Sequence, residues 1–358
     1  MGIHVVAAAT GRGGGQGLLT SVIDGLVTLG EDVQVLGPAS PSGLVDWAVA
    51  EGVPTQVTNS VSRADYSRDL RRWRREHPEG VLWCDGILPA LATLGTRRRV
   101  VAFEGVPSGY LRAAQAAAAV GATATIVPTA FDAARLPGAS VVAPSVPDLE
   151  PVHAARGRGP LRIGFMGEIS EASGVTVLAD AVKSLARWAP GQYRLRVAGK
   201  SRYSDARERA IIRGRFAALG PIVQRVGAMP ADEFLGSIDL LVCPAVGTGG
   251  FPWSAAAAMG SGVPVIVSDT GPLVDVVGSE HPWVARAGDT EHLAEILAEV
   301  ETALPASETV DAARGRWARQ YSPDASKRSL RELLARLGLL PVEAPGGEDR
   351  LRAAQGVQ

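Results

Sequence analysis

The chain of 358 residues is 46% hydrophobic and carries 36 Lys and Arg against 37 Asp and Glu, a formal net charge of -1. That length predicts two domains, and that balance excludes an overall field drawing in nucleic acid or an anionic membrane surface. Two cysteines, Cys84 and Cys243, each within an apolar run, predict buried core thiols rather than a disulfide framework or a metal site.

The N-terminal residues, MGIHVV, lack the basic region and long apolar stretch of a signal peptide. The Ala-rich run 113–127 is interrupted by Gln115, Gly121 and Thr123 and is too short to span a bilayer. A soluble, cytoplasmic protein without a membrane span is expected. Lys183, Lys200 and Lys327 are the only lysines, and the excess of Arg and Ala reads as coding bias of a GC-rich genome.

Residues 3–9 form an apolar run of strand length, and Leu18, Leu19, Val22, Ile23 and Leu26 then recur at helical spacing as far as Gly30. Strands are predicted at 33–36, 81–84, 100–103, 124–127 and 141–142. The segment RDLRRWRRE (68–76) reads as a solvated helix face with Leu70 and Trp73 turned inward, in preference to a nucleic-acid patch. Residues 144–148 and 151–159, rich in Pro, Gly and Arg, read as a linker. A second series of strands follows at 161–166, 193–198, 222–226, 240–243, 263–267 and 283–285. Strands alternating with helices predict an α/β protein of two doubly wound, Rossmann-like units of about 150 residues each. Residues 317–340 read as mostly helical and basic, and 343–358 as a disordered tail.

Open parallel sheets bind ligands beyond the carboxyl ends of their strands, and three loops stand there. The first, TGRGGGQG (10–17), lets backbone approach a ligand and offers helix N–H groups to an anion, although it lacks strict dinucleotide spacing. The second is GEISEASG (167–174). The third, GTGGFPWSAAAAMGSGVPVIV (247–267), runs from a Gly-rich loop through a small-residue helix to a buried strand, with no charged side chain. Small residues in its helix also suit close packing on a sheet.

The three loops together resemble a large family of retaining, nucleotide-sugar-dependent glycosyltransferases of the GT-B fold, family 4-like, over nearly the whole chain. GGGQGLLTSVIDGLVTLGEDVQVLGP is similar to the family's Gly-rich loop, helix and next strand. GFMGEISEASGVTVLADAV is similar to its G-R-x(4)-K-G segment, and VGAMPADEFLGSIDLLVCPA to its base-binding turn. GGFPWSAAAAMGSGVPVIVSD resembles the signature E-x-F-G-x(4)-E-A-M-A-x-G-x-P-V, with its E-x7-E pair. The resemblance implies an acceptor domain over 1–150, joined by a returning helix at about 318–342, and a donor domain over 155–317. It implies no cofactor, and as partners a nucleotide-activated sugar, with UDP or GDP as nucleotide, and a small-molecule acceptor.

The sequence departs from the pattern at the polar positions. The signature glutamates fall at Gly249 and Ala257, the diphosphate-binding Arg and Lys at Glu168 and Ser173, and the cleft His at Glu104. Each charged hydrogen bond contributes roughly 1.5–3 kcal/mol, so either other groups replace these contacts, or the donor differs, or the protein no longer turns over. Donor-binding residues are expected at Gly14, Gly15, Gly167, Glu168, Ser173, Lys200, Arg202, Ala228, Met229, Gly249, Gly250, Phe251, Pro252, Trp253 and Ser254. Arg12, Lys200 and Arg202 are the candidate replacement cations. Backbone N–H groups of Gly249, Gly250, Phe251 and Trp253 are expected to remain available. Glu104 is the candidate catalytic residue, as general base or as a ligand of sugar hydroxyls.

An active glycosyltransferase of specialised, antibiotic-type metabolism is therefore expected, with a catalytically inactive GT-B binding protein as the alternative. A dinucleotide-dependent oxidoreductase has little support, because His4, His77, His153, His281 and His292 are scattered.

Overall fold

Strand and helix alternate from the start of the chain: β1 (Ile3–Ala7), α1 (Leu18–Thr28), β2 (Val33–Pro38), α2 (Gly43–Ala50), β3 (Thr55–Thr58), α3 (Arg63–Glu76), β4 (Val81–Asp85), α4 (Ile87–Ala92), β5 (Arg99–Ala102), α5 (Tyr110–Ala119), β6 (Ala124–Val127), α6 (Ala130–Arg135) and β7 (Ala139–Val141). The second unit comprises β8 (Leu161–Met166), α7 (Val175–Trp188), β9 (Tyr193–Ala198), α8 (Ala206–Leu219), β10 (Val223–Gly227), α9 (Ala231–Leu235), β11 (Leu240–Cys243), α10 (Trp253–Ser261), β12 (Val265–Ser268), α11 (Gly271–Val277), β13 (Val284–Ala285) and α12 (Thr290–Ala303). Two further helices, α13 (Ser307–Gln320) and α14 (Pro323–Arg336), close the chain. This computed structural model describes residues 2–7, 17–39, 43–149, 159–247 and 249–339. Residues 151–158 of the expected linker and the tail 343–358 lie outside them.

The first sheet has strand order β3-β2-β1-β4-β5-β6-β7 and the second β10-β9-β8-β11-β12-β13, each parallel throughout. Both orders reverse beside their first strand, at β1/β4 and at β8/β11, where open sheets form ligand crevices. Strands covered on both faces need near-continuous apolar sequence, which VLWC and LLVC supply. Along β4, Val81 and Trp83 enter the core shared with α1, while Leu82 and Cys84 enter the core under α3 and α4.

In α3, Leu70 and Trp73 are buried as the pattern predicts, and Ser62 caps the helix through the Asp65 N–H. Arg74 is buried as well, donating to the carbonyls of His77, Glu79, Gly80 and Arg97. Strand β3 was not legible: TQVT holds one apolar residue, and its ladder comes entirely from β2. The expected linker stretch 144–148 is packed rather than solvated. Val146 is buried in the second unit's core, and its N–H donates to the Tyr321 carbonyl at 2.8 Å. The helical segment expected at 317–340 is broken at Tyr321 and Ser322. There α13, with Trp317 in the second unit's core, gives way to α14, whose Leu330, Leu333 and Leu334 pack on α1.

Candidate active site

Glu104 stands two residues beyond β5. Alternation puts it on the face of Val100 and Ala102, which α1 covers. Its Oε1 lies 2.8 Å from where a Cβ on Gly17 would stand, and Gly17 is the N-cap residue of α1. Any side chain at Gly17 would displace the carboxylate from the helix start, where unpaired N–H groups favour an anion. The loop expected to receive a ligand's anion thus has a carboxylate of the chain itself at its helix. Arg12, Gly14 and Gly15 lie outside the described residues.

Asp85 closes β4 and pairs in register with Ala102. It shares the face of Val81 and Trp83, so it points the same way as Glu104. Its Oδ1 is enclosed and has no hydrogen-bond partner among the described residues. Burial first, and the Glu104 charge second, push its carboxyl up to about 7. The sequence reading missed Asp85. The signal was a charged residue ending the buried run VLWCD at the sheet's ligand edge.

In the second unit a cavity opens between the carboxyl ends of β8, β11 and β12. Phe165, Met166, Gly167, Glu168 and Ser173 line it on one side; Cys243, Pro244, Ala245, Gly247, Gly249, Gly250, Pro252 and Ser254 on another; Thr270, Pro272 and Leu273 on the third. Most of this lining is apolar. Burial raises the Cys243 thiol to about 11, so it is an unreactive neighbour of Ser254, 3.6 Å away. Thr270, Pro272 and Leu273 were not foreseen, because nothing local marks the turn after β12 as cavity wall.

The donor-side residues divide. Gly167, Glu168, Ser173, Gly249, Gly250, Pro252 and Ser254 share the cavity, whereas Lys200, Arg202, Ala228, Met229, Phe251 and Trp253 stand outside its lining. The Ser173 hydroxyl is used within its own loop, donating to the Ser170 carbonyl at 2.7 Å. Arg202 pairs with Glu168 at 3.3 Å, with side chains 75% and 48% exposed, a contact of little energetic weight. Lys200 is exposed after β9 and has no ion pair among the described residues. Both loops are held from below by Glu208 on α8. It accepts the Glu171 N–H at 2.6 Å, the Ser204 hydroxyl at 2.8 Å and the Ser204 N–H, and these bonds hold its carboxyl below the usual range.

Trp253 corrects one expectation. Its N–H donates to the Phe251 carbonyl at 2.8 Å and is not free for a ligand, because Pro252 turns the chain tightly into α10. The N–H groups of Gly249, Gly250 and Phe251 donate to no described group. Phe251 rests on Tyr321, ring centroids 5.5 Å apart. Ala257, where the ribose glutamate of the resemblance would fall, is fully buried and offers a ligand nothing.

The two crevices meet at glycine. A Cβ on Gly250 would stand 3.0 Å from the Glu104 carbonyl oxygen, and one on Gly105 3.3 Å from the Gly249 carbonyl oxygen. Gly105 is itself braced by Gln115, and Val106 by Asp132, whose Oδ1 accepts the Val106 N–H at 2.7 Å.

Two doubly wound units meeting across such a cleft define a GT-B architecture. Residues 160–302 match the model of the family described as glycosyl transferases group 1. Solved structures similar to the chain include HepE (Alr3699) of Anabaena in complex with UDP, 15% identical, TM-score 0.77, covering 94% of this chain and 100% of that one. Sucrose-phosphate synthase of Thermosynechococcus elongatus is 16% identical, TM-score 0.76, covering 94% and 99%. A glycosyltransferase of Rickettsia africae is 14% identical, TM-score 0.75, covering 94% and 98%. No curated protein matches the chain. The chain has the GT-B glycosyltransferase fold. Among the described residues no helix is long and apolar enough to cross a membrane.

Proposed function

We propose that this chain transfers a sugar from a uridine diphosphate donor to a small-molecule acceptor. The observation that carries the reading is the cavity at the start of α10, lined by Gly249 and Gly250, whose N–H groups donate to no described group and whose backbone closely approaches that of Glu104 and Gly105 across the cleft. Amides aimed at a diphosphate stabilise the leaving group without reorganising during the reaction. HepE structures hold UDP and UDP-glucose, which favours uridine over guanosine. In this reading residues 155–317 bind the donor, and residues 1–150 with the returning α14 bind the acceptor. Glu104 is the acceptor-side base or a sugar ligand. The altered polar positions favour a specialised, antibiotic-type substrate, handled in the cytoplasm.

Calorimetry with UDP and GDP, followed by hydrolysis assays with UDP-glucose, tests the proposal. UDP binding with slow sugar release supports it. Binding of UDP with no turnover of any UDP-sugar supports the alternative, an inactive GT-B binding protein. That alternative draws on one observation: Arg202, a candidate phosphate cation, is turned to Glu168.

A further inference from the structure

We infer that the short helix α6 positions Glu104 against the donor cavity: Phe131 anchors the helix to the cavity wall, and Asp132, the next residue, holds the loop that carries Glu104. Asp132 is thus a positioning residue for Glu104. The inference rests on the transferase reading with Glu104 on the acceptor side. Gly271 stands between Thr270 and Pro272, which both line the cavity. The Phe131 ring packs so closely on Gly271 that a Cβ there would stand 2.0 Å from it, and the Phe131 N–H donates to Asp275 Oδ2 at 3.1 Å. Asp132 serves the first unit instead. It is 1% exposed, and its Oδ1 accepts the Val106 N–H at 2.7 Å while its Oδ2 accepts the Thr129 hydroxyl at 2.6 Å. Three residues on, Arg135 donates to the Pro107 carbonyl at 3.2 Å, and its guanidinium lies 5.0 Å from the centre of the Phe131 ring. From α5, Gln115 donates to the Gly105 carbonyl at 2.9 Å. Each of the three residues after Glu104 is therefore held by a side chain, and α6 supplies two of the three.

One helical turn thus makes a contact in each unit and fixes the distance between them. The loop it holds is the one that meets the donor side, where Gly105 approaches the Gly249 carbonyl and the Glu104 carbonyl approaches Gly250. A shift of Phe131 on Gly271 moves Asp132 with it, and Asp132 carries Val106 and the neighbouring Glu104 backbone along. Stability alone does not account for the brace. Gln115 Oε1 and Arg135 Nη1 are enclosed and have no partner among the described residues, and such atoms cost free energy. A reacting group has to stand in place before the reaction, and a displacement of about 1 Å can cost about a hundredfold in rate.

Two measurements on the full chain test this. The first is hydrolysis of UDP-glucose, with water as acceptor. Asp132→Ala should lose roughly tenfold or more in kcat, with KM for UDP-glucose unchanged, because Asp132 lies outside the cavity lining. Asp132→Asn keeps an oxygen for the Val106 N–H and should retain most of the wild-type kcat. Gly271→Ala should lower kcat as well, and the double variant Gly271→Ala/Asp132→Ala should be no slower than the slower single variant, because both act through one helix. A raised KM with kcat unchanged, no rescue by Asp132→Asn, or losses that add in the double variant overturns the inference. The second measurement needs no turnover: backbone hydrogen exchange of the ligand-free protein. Gly271→Ala should speed exchange at the Val106 amide about tenfold, the effect of one charged hydrogen bond, with no further rise in the double variant. Unchanged exchange at Val106 in Gly271→Ala overturns the inference, and that variant decides by itself if Asp132→Ala does not fold. If UDP-glucose is never hydrolysed, the transferase reading fails by itself and the exchange measurement alone decides the brace.

Discussion

At Asp85 the cost of a carboxyl with an enclosed oxygen, unpartnered among the described residues, becomes measurable as stability. Its ordinary value of 3.8 is raised to about 7 in the fold. Between those values the folded chain holds a proton that the unfolded chain has lost, so stability falls as pH rises through that window and levels off above about 7. The slope is about 1.4 kcal/mol per pH unit from this group. Asp85→Asn should abolish that slope, and urea midpoints at acid and at mildly alkaline pH will show the variant gaining on wild type as pH rises. On the donor side Lys200 and Arg202 separate. Lys200 is unpaired among the described residues, whereas Arg202 already has Glu168. Lys200→Ala is expected to weaken UDP binding about tenfold, the effect of one charged hydrogen bond, and Arg202→Ala much less. Calorimetry on the two variants checks the order; equal losses would place both cations on the diphosphate.

Helices α6 and α11 form a joint between the units. The Phe131 N–H donates to Asp275 Oδ2 at 3.1 Å, and the Phe131 ring lies so close to Gly271 that a Cβ there would stand 2.0 Å from it. Arg316 fixes the end of α11 by donating to the Asp275 and Val276 carbonyls at 2.7 and 2.8 Å. Gly271→Ala should push the ring out and loosen the joint, giving a larger radius of gyration in X-ray scattering with unchanged circular dichroism. An unchanged radius would show that the ring simply rotates. Helix α14 is the second link. Leu330, Leu333 and Leu334 are buried against Ile23 and Leu26 of α1. At roughly 2 kcal/mol per buried leucine, removing the chain after Tyr321 forfeits an amount comparable with a domain's whole stability. The truncated chain should bind a hydrophobic dye and lose solubility; a soluble, stable product would refute the packing argument.

For the whole molecule, the cleft trades side-chain charge for backbone geometry. The cavity wall is mostly apolar, and the N–H groups of Gly249 and Gly250 in it donate to no described group. Amide donors carry no net charge, so UDP affinity should fall only weakly between low and high salt once Lys200 is replaced. Titrations of Lys200→Ala across ionic strength test this, and a steep dependence would reveal a cation supplied from elsewhere. Closure is already built in where Gly250 meets the Glu104 carbonyl, so the units share their contact surface at the site itself.

The order of elements was legible from the sequence because burial on both faces of a parallel sheet demands apolar runs of strand length. The runs 161–166, 193–198 and 240–243 coincide with β8, β9 and β11. The Gly-rich turn before α10 was likewise legible, since close backbone approach excludes side chains. Thr55–Thr58 was not, because an edge strand takes its ladder from a neighbour rather than from its own hydrophobicity. Tertiary structure alone decided which polar groups meet. Asp85 and Glu104 are distant in sequence and adjacent only through the β4–β5 register. Arg202 looked free until the return of β9 set it beside Glu168. The Trp253 N–H looked available until the turn at Pro252 closed it onto Phe251. Sequence pattern reports what must be buried, because burial acts on each residue by itself; pairing depends on distance between residues, which only the folded chain establishes.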